Sequence, residues 1–470
     1  MLMIVKDDSI DQPARILAEK IVRLPPHDRA AWESAVDDLV ALAIAADPQV
    51  ASASSRVFFR DVVEALADRF EPDLCDLYVH LFCRTITASR RTLDLLSVDR
   101  LLQSFRLTTE EELLSRAHRV RRPSAFEAGR HVVVRKVLVP SRVTLGADIA
   151  VTSVALRKMK DVFPKAELVL LGGAKAGAFF ASEPRVRLRE IAYSRGSSLR
   201  DRLNAWPTLV DIVRQEIEGL RSEEYIVVDP DSRFTLVGIL RRAPDDSRFF
   251  FFERGSFAAP REKSLGELTD KWLAKTFGGD SEACLPYVWL SAEDRQRGEH
   301  LREAAGNRRL AAVNLGVGDN PSKRVKDPFE RELLFLLRSR GYAVVLDQGA
   351  GNEELLRTSY LIDSVRETGA SVSRLGDTAE PFADLNFWRG SLSGFAGYIA
   401  ASDLYVGYDS AGGHLAAALG VPGIDIFAGA ASQSMIEHWT PWGKAPAAVI
   451  AVRPGQTPEE VLAAVQEQLP

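Results

Sequence analysis

The stretch SDLYVGYDSAGGHLAAALGVPGIDIF, residues 402–427, constrains the fold most, because it reads as strand, glycine-rich turn, helix and second strand without a break. Residues 404–407 form a short apolar run ending in glycine, and 424–427 form another. Between them Asp409 and Ser410 suit a helix N-cap, while Ala411, Gly412 and Gly413 let backbone approach a ligand closely. His414, Leu415 and the alanines open a strong helix former, which Gly420 and Pro422 close. A helix start beneath such a turn offers unsatisfied N–H groups and a positive dipole end, the elements of a phosphate site. The plainer reading is a tight strand-to-helix connection in a parallel sheet, with His414 capping or packing locally.

At 470 residues the chain has room for two or three domains. Its 46% hydrophobic and 27% charged residues are those of an ordinary soluble protein, and a net charge of -5 gives no basic field for nucleic acid. Cys75, Cys83 and Cys284 are too few and too scattered for a disulfide framework or a zinc site, which favours buried thiols in a reducing compartment. The N-terminus has no basic segment followed by a long apolar one, and no run reaches the roughly 18 to 20 apolar residues that span a bilayer. The expectation is a cytoplasmic protein, with peripheral contact at the inner face of a membrane as the alternative.

Residues 1–125 read as helical, with apolar positions recurring at three- and four-residue spacing over 31–46, 57–70 and 74–86, punctuated by Pro25, Pro26, Pro48 and Pro72. This segment carries no chemical motif and is expected to serve packing or partner recognition; His80 and His118 lack a second ligand at metal spacing. Over 116–136 the charge turns basic, with Arg116, Arg119, Arg121, Arg122, Arg130, Arg135 and Lys136 against Glu127 alone. That run reads as a solvated linker face at a domain boundary. Its functional alternative is contact with an anionic acceptor or lipid, worth about 1 kcal/mol per cation.

From 131 the pattern alternates: strand over 132–140, helix over 151–163, strand over 166–173, then strands over 225–230 and 249–254, the last at an edge. A looser stretch over 277–297 is expected to join this half to a second one. There, strands over 310–316 and 342–349 alternate with helices over 327–341, 353–367 and 391–403, and a last helix over 458–469 either caps that half or crosses back. The expected domains are 1–125, 131–285 and 300–470, with ligands in the crevice between the two α/β halves.

The run DSAGGHLAAALGVP, 409–422, resembles the D-[ST]-G-x-x-H-L-A-A-A-L-G-x-P signature of glycosyltransferase family nine, the ADP-heptose:lipopolysaccharide heptosyltransferases, with Ala411 where the family usually has glycine. GADIAVT, 146–152, resembles the family's G-D-[VI]-x-x-T segment, with Asp148, Ile149 and Thr152 in step. Lys323 and Arg324 fall on its Lys-[RQ]-W-P segment, although Val325, Lys326 and Asp327 intervene before Pro328 and the tryptophan is missing. Residues 346–354 resemble its G-G-x-x-[ED] turn, and HWTPWG, 438–443, its W-x-P-W-G segment.

The resemblance implies a GT-B fold, two facing Rossmann-like domains, here preceded by an all-helical segment. It implies an inverting, metal-independent transfer of a heptose from an ADP-sugar to an acceptor hydroxyl of a lipopolysaccharide core or related glycan, with no cofactor. Asp148 would be the catalytic base and Lys323 the cation over the leaving diphosphate, with Lys326 as substitute if the register slips. Gly316, Arg324, Lys326, Glu353 or Glu354, Asp409, Ser410, Ala411, Gly412, Gly413 and His414 would bind the donor, and Trp439 and Trp442 would pack beside it or close the core.

Chemistry alone leaves plainer readings open. An aspartate at a helix start is by default an N-cap worth about 0.5 to 2 kcal/mol. Three cations at a helix start oppose its dipole, so an anionic ligand explains them better than stability does. DPD at 229–231 looks like the metal-binding pair of other sugar transferases, but a strand end is simpler, and a lysine with a helix start can neutralise a diphosphate. The rival functions are the same fold using another nucleotide sugar or a protein or small-molecule acceptor, and a non-catalytic binding or scaffolding protein.

Overall fold

The computed structural model describes residues 10–24, 28–122, 124–127, 133–180, 182–193, 196–236, 238–240, 246–252, 263–278, 282–318, 320–349, 351–376 and 381–470. Expectations placed on the first nine residues, on Pro25, Pro26, Arg130, Val132, Glu253 and Arg254, and on 279–281 lie outside them.

Short apolar strands build two sheets in which every pairing is parallel. The first holds β1 (Lys136–Pro140), β2 (Glu167–Gly172), β3 (Val186–Glu190), β4 (Tyr225–Asp229) and β5 (Phe249–Phe251) in the order β3-β2-β1-β4-β5. The second holds β6 (Arg309–Asn314), β7 (Tyr342–Asp347), β8 (Val372–Leu375), β9 (Leu385–Trp388), β10 (Leu404–Tyr408), β11 (Gly423–Phe427) and β12 (Ala447–Ala451), in the order β12-β11-β10-β6-β7-β9-β8. Strand order reverses between β1 and β4 in one sheet and between β6 and β10 in the other. A crevice for ligand opens at the carboxyl ends of such pairs.

Alternation along the strands sorts side chains into three cores. Leu138, Val169 and Val227 of the first sheet pack with the helix Leu199–Glu216 and with the N-terminal helices Gln12–Arg23, Arg29–Ala43, Pro48–Val57, Pro72–Ser89, Leu96–Ser104 and Glu110–Arg121. The helical segment therefore shares a core with the first sheet. Val137, Val139 and Leu170 face the opposite way, into a core that also takes Leu310, Ala312 and Val345 of the second sheet and so joins the two lobes. Ala311, Val313 and Ile424 face the third core, where Val461 and Val465 place the helix Pro458–Gln468 as a cap on the second half.

Two expectations are corrected. The basic run is no solvated linker as far as Arg121, because the helix Glu110–Arg121 continues through it and its cations find acids in the chain. Arg116 is buried against Asp246 and the Ile239 carbonyl, Arg121 lies 3.7 Å from Asp76, Arg135 lies 3.7 Å from Glu224, and Lys136 bonds Glu216. The stretch over 277–297 is shorter than expected, since the helix Ala292–Ala305 begins inside it with Ser291 as its N-cap.

Candidate functional site

At the switch point of the second sheet, β10 ends at Tyr408 and the Asp409 amide donates to the Ile426 carbonyl at 3.0 Å. Ser410 caps the next helix, Ala411–Leu419, accepting from the Gly412 amide at 3.3 Å, and Gly420 ends it at φ +85°. The first turn of that helix thus opens at the carboxyl edge of the sheet, where its N–H groups and dipole favour an anion.

The loop after β6 brings a cation to the same place. Asn320 accepts from the Ser322 amide at 3.1 Å and fixes the turn Pro321–Lys323, while a Cβ on Gly429 would lie 2.4 Å from the Ser322 carbonyl oxygen. Backbone therefore rests on backbone, and Lys323 Nζ meets Asp409 Oδ2 at 2.5 Å in a half-buried pair. Arg324 departs from expectation: it turns away to the buried Glu330 at 3.0 Å, which also takes Arg357 and, at 3.1 Å, the Tyr408 hydroxyl. Lys326 is exposed and has no ion pair among the described residues. Of the three cations expected together, only Lys323 reaches the glycine turn.

A neighbouring corner at the ends of β6 and β7 gathers Asn314, Gly316, Asp347 and Glu354. Asn314 Nδ2 donates to Asp347 at 2.7 Å, the Gly349 amide donates to it at 3.1 Å, and Asn314 Oδ1 accepts from the Gly316 amide at 3.0 Å. A Cβ on Gly316 would stand 3.0 Å from Glu354 Oε1, whereas Glu353 is exposed. Burial, with the Glu354 charge adding to it, pushes the Asp347 carboxyl up to about 6. Sequence reading missed Asn314 and Asp347, whose signal was a polar residue ending each of two apolar strands.

Opposite, at the switch point of the first sheet, the turn after β1 leads into a helical run that starts at Leu145 and carries Asp148 as its fourth residue. Its Oδ1 accepts from the Arg142 amide and Thr152 Oγ1, each at 2.7 Å, and its Oδ2 accepts from Ser141 Oγ at 2.7 Å. The cap reading is corrected, since Asp148 lies inside the helical run, its amide donating to the Thr144 carbonyl at 2.9 Å, and its carboxyl holds the turn before it and a side chain after it. Burial raises its pKa, against those three hydrogen bonds and the Arg142 charge. A carboxylate has about four acceptor positions, so one remains on Oδ2.

Two residues earlier the lobes touch. A Cβ on Gly146 would lie 3.4 Å from His414 Cδ2 and 3.6 Å from the Ala411 Cα, ordinary contact distances that show how closely the two lobes meet here. His414 is buried, with its ring 6.0 Å from Trp439, and the Arg142 guanidinium lies 5.9 Å from the same indole. Burial lowers the His414 pKa to about 4, the Asp409 charge opposing and Lys323 assisting, so the imidazole is neutral at neutral pH. Trp442 packs at the other lobe, where a Cβ on Gly266 would lie 3.0 Å from its ring.

The helical segment reaches this junction too. Phe70, buried at φ +55°, sets its ring 4.3 Å from that of His438, whose Nδ1 is 2.7 Å from the Lys263 carbonyl oxygen. Ser432 Oγ donates to the Asp68 carbonyl at 3.1 Å, and Arg233 donates to the Tyr78 hydroxyl. One corner of the helices thus contacts both lobes. The DPD run serves the turn after β4: Asp229 accepts from the Ser232 amide at 2.6 Å and Thr235 Oγ1 at 2.8 Å, and Asp231 lies 3.6 Å from Arg142. Among the described residues no group of three or more His, Cys, Asp or Glu is placed to hold a metal, and no helix is long and apolar enough to cross a membrane.

Residues 269–466 match the family model described as glycosyltransferase family 9 (heptosyltransferase). A family 9 glycosyl transferase from Veillonella parvula is similar in structure at TM-score 0.51 and 15% identity, over 71% of this chain and 96% of that one. The E. coli heptosyltransferase WaaC with ADP aligns at TM-score 0.48 and 19% identity over 71% and 99% of the two chains. The E. coli ADP-heptose lps heptosyltransferase II aligns at 0.47 and 17% over 71% and 98%. No curated protein sequence matches the chain.

Proposed function

We propose that this chain, a glycosyltransferase whose residues 269–466 form a family 9 domain, transfers a heptose from an ADP-sugar to an acceptor hydroxyl with inversion. The observation that carries this is the pairing of Lys323 with Asp409 at the start of the Ala411–Leu419 helix, directly across from the helical run of Gly146 and Asp148. In this reading the diphosphate takes Lys323 from Asp409 and receives the first-turn N–H groups. The remaining acceptor position of Asp148 Oδ2 takes the proton of the acceptor hydroxyl. That oxygen attacks the anomeric carbon from the face opposite the diphosphate, a C–O bond forms, the bond to the diphosphate breaks, and its charge falls to Lys323 and the helix start. The corner at Asn314, Asp347 and Glu354 offers hydrogen-bond partners to a ribose. A glycan, with lipopolysaccharide core as the family's example, is the acceptor class we favour.

Calorimetry with ADP, UDP and GDP, followed by ADP-heptose hydrolysis by wild type and Asp148→Ala, tests the reading. We expect ADP to bind most tightly and the variant to bind it equally well while losing turnover. Nucleotide binding with undiminished turnover in the variant would remove Asp148 from the chemistry, and no nucleotide binding at all would remove the whole reading.

A further inference from the structure

On β11 the side chains of Ile424 and Ile426 face the third core, and Asp425 between them points the other way, under the glycine turn. It is 1% exposed, and neither carboxyl oxygen has a hydrogen-bond partner among the described residues. A Cβ on Gly413 would lie 1.8 Å from Asp425 Oδ1. Beside it, a Cβ on Gly412 would lie 2.1 Å from the hydroxyl oxygen of the fully buried Tyr405, and one on Gly407 would lie 2.4 Å from it. Three glycines thus leave the space that a carboxyl and a phenol fill, directly beneath the first turn of the Ala411–Leu419 helix. An acid in an otherwise apolar buried strand was the visible signal in GIDIF, and the chemistry read from the sequence made no use of it.

We propose that Asp425 is a positioning residue for the donor diphosphate, its uncharged carboxyl keeping the helix start above it receptive to an anion. This rests on the diphosphate reading above. A carboxylate with no partner in such a place is disfavoured and holds its proton instead. Burial first, and the Asp409 charge second, raise the Asp425 pKa well above the usual carboxylate range. The groups around it leave little positive charge to spare. Asp409 carries one negative charge and Lys323 one positive; His414 on the helix is neutral, and Tyr405, whose hydroxyl lies toward Ser410 and which also feels Asp347, is held neutral by burial. The helix start adds about half a positive charge. Ionising Asp425 reverses that sign, so diphosphate affinity falls as pH rises through its pKa, and binding below or near that pKa retains or takes up the proton.

The test is ADP binding to the full chain, wild type beside Asp425→Asn, by calorimetry from about pH 7 to about pH 10 in buffers of differing ionisation enthalpy. Asparagine has the same shape and cannot ionise. Every other group is common to the two proteins, so the difference isolates residue 425. Wild type is expected to lose at least about tenfold more affinity across the range, the scale of one unit charge acting in partly buried surroundings, and to take up a proton that the variant does not. A purely structural role would leave both pH profiles superimposed with ADP binding intact, which overturns this proposal alone. No ADP binding to wild type at any pH overturns the diphosphate reading with it. If the variant does not fold, proton uptake by wild type on binding ADP at alkaline pH supports the proposal, and its absence throughout overturns it.

Discussion

Replacing Lys323 by methionine tests whether the cation belongs to the donor site or only to a surface pair. The ammonium is three-quarters buried and bonded to an Asp409 carboxylate that is 12% exposed, so the free protein already holds one charge-assisted bond that a diphosphate must exchange. Such a bond is worth about 1.5 to 3 kcal/mol, which translates to roughly ten- to 150-fold in ADP affinity. Methionine preserves the length of the stem, removes the bond, and leaves Asp409 facing the incoming phosphates. Like-charge repulsion across about 4 Å reaches at most about 4 kcal/mol at an effective dielectric of 20, so we expect the upper part of the range, about 100-fold.

The partner substitution separates the two contributions. Asp409→Asn in the Lys323→Met background removes the repulsion alone and should recover about tenfold. Calorimetry at fixed ionic strength reads both effects, and urea unfolding serves as control for any loss of stability from breaking a largely buried pair. An ADP affinity within twofold of wild type in Lys323→Met would place the lysine outside the donor site. A double variant no better than the single one would mean that Asp409 does not face the phosphates.

Asp148→Asn should lower kcat by about a hundred- to ten-thousand-fold with ADP affinity within about threefold of wild type; equal losses in both would make it a structural residue. His414 gives a pH prediction with a definite sign. Its pKa is 6.5 when unperturbed and about 4 in the fold, so the unfolded chain binds the extra proton first and stability falls on acidification between those values. The loss reaches about 3 kcal/mol by the lower pH, so urea midpoints of wild type should fall more steeply than those of His414→Gln, and parallel curves would refute it. Phe70→Ala should cost about 3 kcal/mol or more, as for a buried aromatic, against about 1 kcal/mol for Ser432→Ala at the same corner; a Phe70 cost below about 1 kcal/mol would refute the packing of its ring against His438 as a stabilising contact.

What the sequence disclosed follows from range. The strand, turn and helix of 402–427 depend on neighbours a few residues apart, so caps and glycines predict them, and the helix does run from Ala411 to Leu419. The strands β3, β8, β9 and β12 escaped notice because each is only four or five residues long, and β3, VRLRE, alternates polar with apolar. Long-range partners were invisible altogether. Arg116 looked like part of a solvated run because its acid, Asp246, lies 130 residues away, and Arg324 looked like a donor ligand because nothing local marks Glu330 as buried. Asp148 was legible as an acid at the start of the helix that follows the first strand. Its three hydrogen bonds also lie close in sequence, but they depend on how the chain turns at Ser141 and Arg142.

The shared core and the two switch points together set a condition on how such a site is filled. A Cβ on Gly146 would meet Ala411 and His414 at ordinary contact distance, so the lobes lie close together at this point. In the proposed reading, widening this junction for a donor works against the core that joins the lobes and against contacts at its rim, three of which are Arg142 against Trp439, Ser432 to the Asp68 carbonyl, and Phe70 against His438. Two of these three come from the helical segment, which is anchored by its own core to the first lobe. A segment fixed to one lobe and touching the other adds to the free energy of opening whatever its contacts across the gap contribute. In the proposed reading the helical addition, which carries no chemical motif, bears on the reaction through what its contacts across the gap, Phe70 with His438 and Asp68 with Ser432, contribute to the closed state.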